Sequence, residues 1–139
     1  MAEMSDYLEK KILDYVLRNT ADWAPTAVYL SLHTGDPTDV TATAAGDDSG
    51  NEVTNDTGSY ARQACAFNAC HATGGNTANT DAESFTVMPP CTVTHIGVWD
   101  SGTYGAGNLL FHTAVATPKA VLAGDTISVA AGAVTITLA

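Results

Sequence analysis

The chain has 139 residues, 14% of them charged, with fifteen acidic against five basic side chains and a net charge of −10. That length suits one domain with a core that needs no staples. The charge excludes sequence-neutral nucleic-acid binding, which needs Lys and Arg against phosphates, and docking on an anionic membrane.

No run approaches the roughly 20 apolar residues of a membrane span. MAEMSDYLEKK has no basic segment leading into an apolar one, so a product made in the cytoplasm and not secreted is expected. The three cysteines, Cys65, Cys70 and Cys91, are therefore expected as reduced thiols. Thr, Ala, Gly and Ser occupy the share usually taken by charged residues. Such a surface tolerates close packing of subunits, so assembly is the first expectation.

In chain order, residues 5–19 predict an amphipathic helix. Ser5 is a good N-cap, Asp6 and Glu9 suit the positive end of the dipole, and Arg18 suits the negative end. Leu8, Ile12, Tyr15, Val16 and Asn19 share one face, broadened by Leu13 and Leu17. This helix is expected to cap its own domain or to dock on a neighbouring subunit. Pro25 disfavours helical geometry at Ala24, and TAVYLSLHT (26–34) then predicts the first strand, with Val28, Leu30 and Leu32 inward. Residues 35–59 form a long acidic loop without periodicity. YARQACAF (60–67) predicts a second strand, HATGGNTANTDA a turn region, and ESFTVM a third strand ended by Pro89-Pro90. CTVTHIGVWD, GNLLFHTAVA, DTISVA and AVTITLA each alternate with period two and complete the count. Val134, Ile136 and Leu138 are expected to point inward together. The 1–139 domain thus reads as mainly β: an antiparallel β-sandwich, jelly-roll-like, of about seven strands, preceded by one helix.

Little in the chain carries chemistry. There is no GxSxG, no CxxC pair, and no acid pair singled out by position. His33, His95 and His112 fall singly in strands, and Cys70-His71 stands alone. No catalytic residue, metal or cofactor is assigned, and the chain is not expected to be an enzyme. DDSGNE lacks the EF-hand alternation of ligands, so the acidic loop is expected to order against a partner. The candidate partner-binding residues are Leu8 and Ile12 on the helix, Asp36, Asp39, Asp47 and Asp48 in the loop, and Trp99 and Tyr104 around the 100–108 turn. Core packing is the preferred reading of Trp99.

YLEKKILDYVLRNT, VYLSLHTGDPTD, SYARQACAF, VTHIGVWDSG and GNLLFHTAVATPKAVLAGDTISVAAGAVTITL together resemble a family of small tailed-bacteriophage virion proteins, described as capsid decoration (cement) or tail fibre proteins. The likeness spans nearly the whole chain in order. It implies a structural part of the virion, without catalytic residues. The expected place is the outer capsid surface, bound to the major capsid protein and to other copies of itself as a trimer. The alternative is a tail fibre or tail-tip component contacting a host glycan.

Overall fold

The computed structural model describes residues 2–20, 24–38, 51–56, 59–71 and 73–138. Asp39, Asp47 and Asp48, with most of the acidic stretch, lie outside the described residues.

The helix forms as the sequence predicts. α1 (Asp6–Arg18) is capped by Ser5, whose Oγ accepts from Leu8 N, and Asn19 closes it in the left-handed conformation. Asp14 receives both Lys10 and Arg18 one turn away. The Lys10 and Arg18 hydrogen bonds hold its carboxyl below the usual carboxylate range. Ahead of the helix, β1 (Glu3–Met4) pairs with β7 (Leu109–Val121). Ser5 is buried and bonds to β7 twice, through its Oγ to Leu109 O and its N–H to Leu110 O. The start of the helix is thereby clamped to the sheet.

The main sheet has the order β1-β7-β6-β2-β3, all antiparallel, with β2 (Val28–His33), β3 (Gln63–Cys65) and β6 (Cys91–Trp99). Two ribbons face it: β4 (Asn76–Ala78) with β9 (Thr135–Thr137), and β5 (Glu83–Phe85) with β8 (Ile127–Val129). Between them lies the apolar core of Leu30, Leu32, Val93 and Val98 from the sheet, Phe85, Val129, Val134 and Ile136 from the ribbons, and Val53, Tyr60 and Met88 from connecting segments. The fold is mainly β and antiparallel behind one leading helix.

Four details differ from the sequence expectation. Nine strands stand among the described residues. β1 is too short to show a period, and β4 (NTA) carries no apolar alternation because backbone pairing to β9 defines it. β7 continues through Pro118 to Val121. From Ala114 onward it pairs with β6 on one side and with no strand among the described residues on the other, which is the edge setting where proline is tolerated. Leu138 is exposed, since β9 ends at Thr137 and the inward row stops at Ile136. Finally, β2 is buried on both faces: Leu30 and Leu32 face the core, while Ser31 and His33 are buried on the other side.

Candidate functional site

What buries Ser31 and His33 is a polar cluster on the back of the main sheet. Residues directly opposite on antiparallel strands share a face. The registers Glu3↔His112, His112↔Gly97 and Gly97↔Ser31 therefore draw one row across four strands, with His33 opposite His95 beside it. Three histidines that sit singly in the sequence thus meet on one surface.

Gly97 leaves the space that the cluster fills. A Cβ there would lie 2.6 Å from Ser31 Oγ, 2.8 Å from His33 Nε2 and 3.0 Å from Trp99 Nε1. Trp99 is fully buried and donates its indole N–H to Ser31 Oγ at 2.8 Å, and Ser31 Oγ lies 2.6 Å from His33 Nε2. Ser31 Oγ thus accepts the indole proton and shares a second hydrogen bond with His33 Nε2. His33 stacks on Trp99 at 6.4 Å between ring centroids. Gly97→Ala is expected to cost about 1–3 kcal/mol through overpacking, read as a lowered thermal midpoint.

Arg62 lies over the Trp99 ring, its guanidinium carbon 3.8 Å from the ring centroid. It grips Glu52 in two parallel bonds, Nε to Oε1 at 2.9 Å and a terminal nitrogen to Oε2 at 2.7 Å, with both side chains wholly buried. Its remaining nitrogen donates to Ser101 O at 2.9 Å and Ala106 O at 2.8 Å. Tyr60 donates its hydroxyl to Glu52 Oε1 at 2.9 Å and accepts from Leu32 N at 2.9 Å. Burial, and secondly the Glu52 carboxylate, hold the Tyr60 phenol protonated well above its ordinary range. Among the described residues no buried side-chain polar atom lacks a hydrogen-bond partner.

A serine beside a histidine suggests a nucleophile and its base, but this pair is buried and both Ser31 contacts are internal. The cluster also connects to the neighbouring turn. Arg62 ties the bridge His33↔Glu52 to the 100–108 turn, which Asp100 closes by accepting from Asn108 N and Nδ2 at 2.6 and 2.8 Å. That turn presents Tyr104, half-buried against the core.

The other sequence candidates fall in separate places. Leu8 is buried on β7 and Ile12 half-buried, while Tyr15 and Val16 of the same predicted face are exposed. The helix therefore lies along β7 by its first turns and leaves its later apolar residues in solvent. Asp36 follows β2, accepts from Thr38 N at 2.9 Å, and lies 3.3 Å from His112 Nδ1. With Glu3 and His95 these two line a pocket of about 260 Å³. Among the described residues no three His, Cys, Asp or Glu side chains are placed to hold a metal ion. The residues that organise this face are Glu52, Arg62, Ser31 and His33, which no motif in the sequence groups together. The available signal was Arg62, a rare basic residue inside an apolar run.

The thiols are free. Burial, and then the Glu83 and Asp81 carboxylates, push the Cys65 thiol from 9.0 up to about 11. Its proton is held more tightly in the folded state, so this stabilisation is complete below pH 9.0 and is lost as pH rises through about 11. Urea midpoints of the wild type are expected to fall faster than those of Cys65→Ala across that window.

Against known proteins, a family model described as "Podophage GP4 fiber I protein gp80" matches residues 3–137. No curated protein matches the chain.

Proposed function

This chain belongs to the podophage GP4 fiber I protein gp80 family, making it a phage virion structural protein, and on that premise we propose that it serves as a fibre component of the particle. The carrying observation is that the family match spans nearly the whole chain, helix and β body alike. The physical arrangement agrees with a building part. The most elaborate polar cluster among the described residues is buried, and it stiffens a turn instead of addressing a substrate. Under this reading the partners are other virion proteins and further copies of the chain, and a host glycan is the ligand to try on the exposed loops. The strong negative charge keeps the chain off packaged DNA wherever it stands outside the shell.

Decoration of the outer capsid surface through the major capsid protein is the other assignment that this charge permits, and copy number separates the two. Gold labelling of a tagged chain on purified particles is expected to mark the tail, at a few copies per particle. Even labelling of the shell, with a stoichiometry tied to the capsid subunit, would replace the fibre role with decoration.

A further inference from the structure

We propose that two copies of this chain join by seating α1 of one in an open groove of the other, whether the copies stand on a tail or on a shell. The helix offers a surface that its own domain does not use. Leu13, Val16 and Leu17 are 57%, 67% and 75% exposed, and their i, i+3, i+4 spacing stacks them on one stripe. At about 100° per residue Leu13 and Leu17 lie roughly 140° and 180° round the helix from the buried Leu8, with Val16 at about 80° on the near edge of the stripe.

The groove, of about 1030 Å³, opens between β7 and the segments carrying β8 and β9. Its floor is core, including Leu32, Val93, Val129 and Val134. Its walls are Ala, Thr, Ser and Val, small enough for a helix backbone to come close. The stretch of β7 along it, Thr113 to Lys119, is about 20 Å long at the usual strand rise. The 13-residue helix is also about 20 Å.

Charge selects a second copy as the occupant. In a molecule of net charge −10, most contacts between copies bring acids together. α1 carries Lys10, Lys11 and Arg18, three of the five basic residues, against Asp6, Glu9 and Asp14, and so is neutral. Among the described groove-lining residues Lys119 is the sole charged one, and no acid is present. Helix and groove are thus two surfaces that carry no net negative charge. An added β-strand is the rival occupant for an edge like that of β7, but Pro118 and Lys119 stand on that edge, and both residue types discourage strand pairing. A helix in a groove needs no ladder of backbone bonds; it needs spaced apolar anchors, which Leu13, Val16 and Leu17 supply.

Helix and groove are different patches, so the contact is heterologous in kind and closes as a reciprocal pair or a ring. Sedimentation velocity on the full chain over a concentration series is the test. The wild type is expected to self-associate. The variant Leu13→Glu/Leu17→Glu should weaken association by about tenfold or more for each anchor lost, with an unchanged thermal midpoint at dilutions where the wild type is monomeric, because both positions are exposed in one copy. Ala116→Glu, in the groove wall, should do the same from the other side. Mixing the two variants should restore a complex, since one keeps an intact groove and the other an intact helix. A wild type that stays monomeric throughout, an assembly that neither variant weakens, or a mixture that stays monomeric would each overturn the proposal.

Discussion

Arg62→Ala is expected to destabilise the protein by about 3–5 kcal/mol, the range for removing one partner of a buried ion pair. The cost lies less in the lost attraction than in what remains. Glu52 keeps its charge with a wholly buried side chain and, among the described groups, only the Tyr60 hydroxyl to serve it. Ser101 O and Ala106 O lose the donor that holds the 100–108 turn, and Trp99 loses the cation over its ring. Urea denaturation gives the energy. Hydrogen exchange gives the location: protection of amides in the 100–108 turn should fall beyond the change in global stability. Arg62→Lys should recover little, because an ammonium cannot make the paired bonds to Glu52 while also reaching two carbonyls. Replacing both partners, as in Glu52→Leu with Arg62→Met, should recover much of the loss, since no charge is then left stranded. A double variant no more stable than Arg62→Ala would mean that Arg62 acts mainly through the turn carbonyls and Trp99.

This cluster also marks where the chain can be read directly and where it cannot. Local signals sufficed for α1, because a cap and a helical period sit within a few residues of each other: Ser5 and Asn19 bound the element with Asp6, Glu9 and Arg18 inside. They sufficed to find β6 as a strand, although its alternation breaks at the irregularity between Val93 and His95, so that Val93 and Val98 both reach the core. They failed at β4, where Asn76–Ala78 is a strand only because Thr135–Thr137 lies beside it. On β2 they found one face and not the other. The alternation of Leu30 and Leu32 with Ser31 and His33 looks like a half-solvated strand, yet both sides are buried. The cover on the polar side comes from Glu52, Arg62 and Trp99, which lie 19 to 68 positions beyond His33 or Ser31 in sequence. No pattern within one strand records such a pairing. The candidate partner residues show the same limit: helix periodicity placed Leu8 and Val16 on one face, but only contact with β7 decides which is covered.

Ile136→Asp carries the second large effect and tests the alternation of the last strand. Ile136 is 7% exposed, opposite Thr77 on β4, and belongs to the core with Val98 and Val134. Removing the side chain alone costs about 2–5 kcal/mol in a packed core. A carboxylate placed there without a partner adds a desolvation penalty of the same order, unless it takes up a proton. The expected loss is therefore in the range that unfolds a domain of ordinary stability. Two companions isolate the cause. Leu138→Asp lies two residues on, where the side chain is 50% exposed, and should change stability by no more than about 0.5 kcal/mol. Ile136→Val keeps the site apolar and should cost about 0.5–1.5 kcal/mol. If Ile136→Asp folds normally while Leu138→Asp does not, Ile136 is not an inward residue and the register Thr77↔Ile136 is wrong. If both aspartate variants unfold the chain, Leu138 is covered in solution by a surface that one isolated copy does not provide, and sedimentation of the wild type would show the assembly responsible.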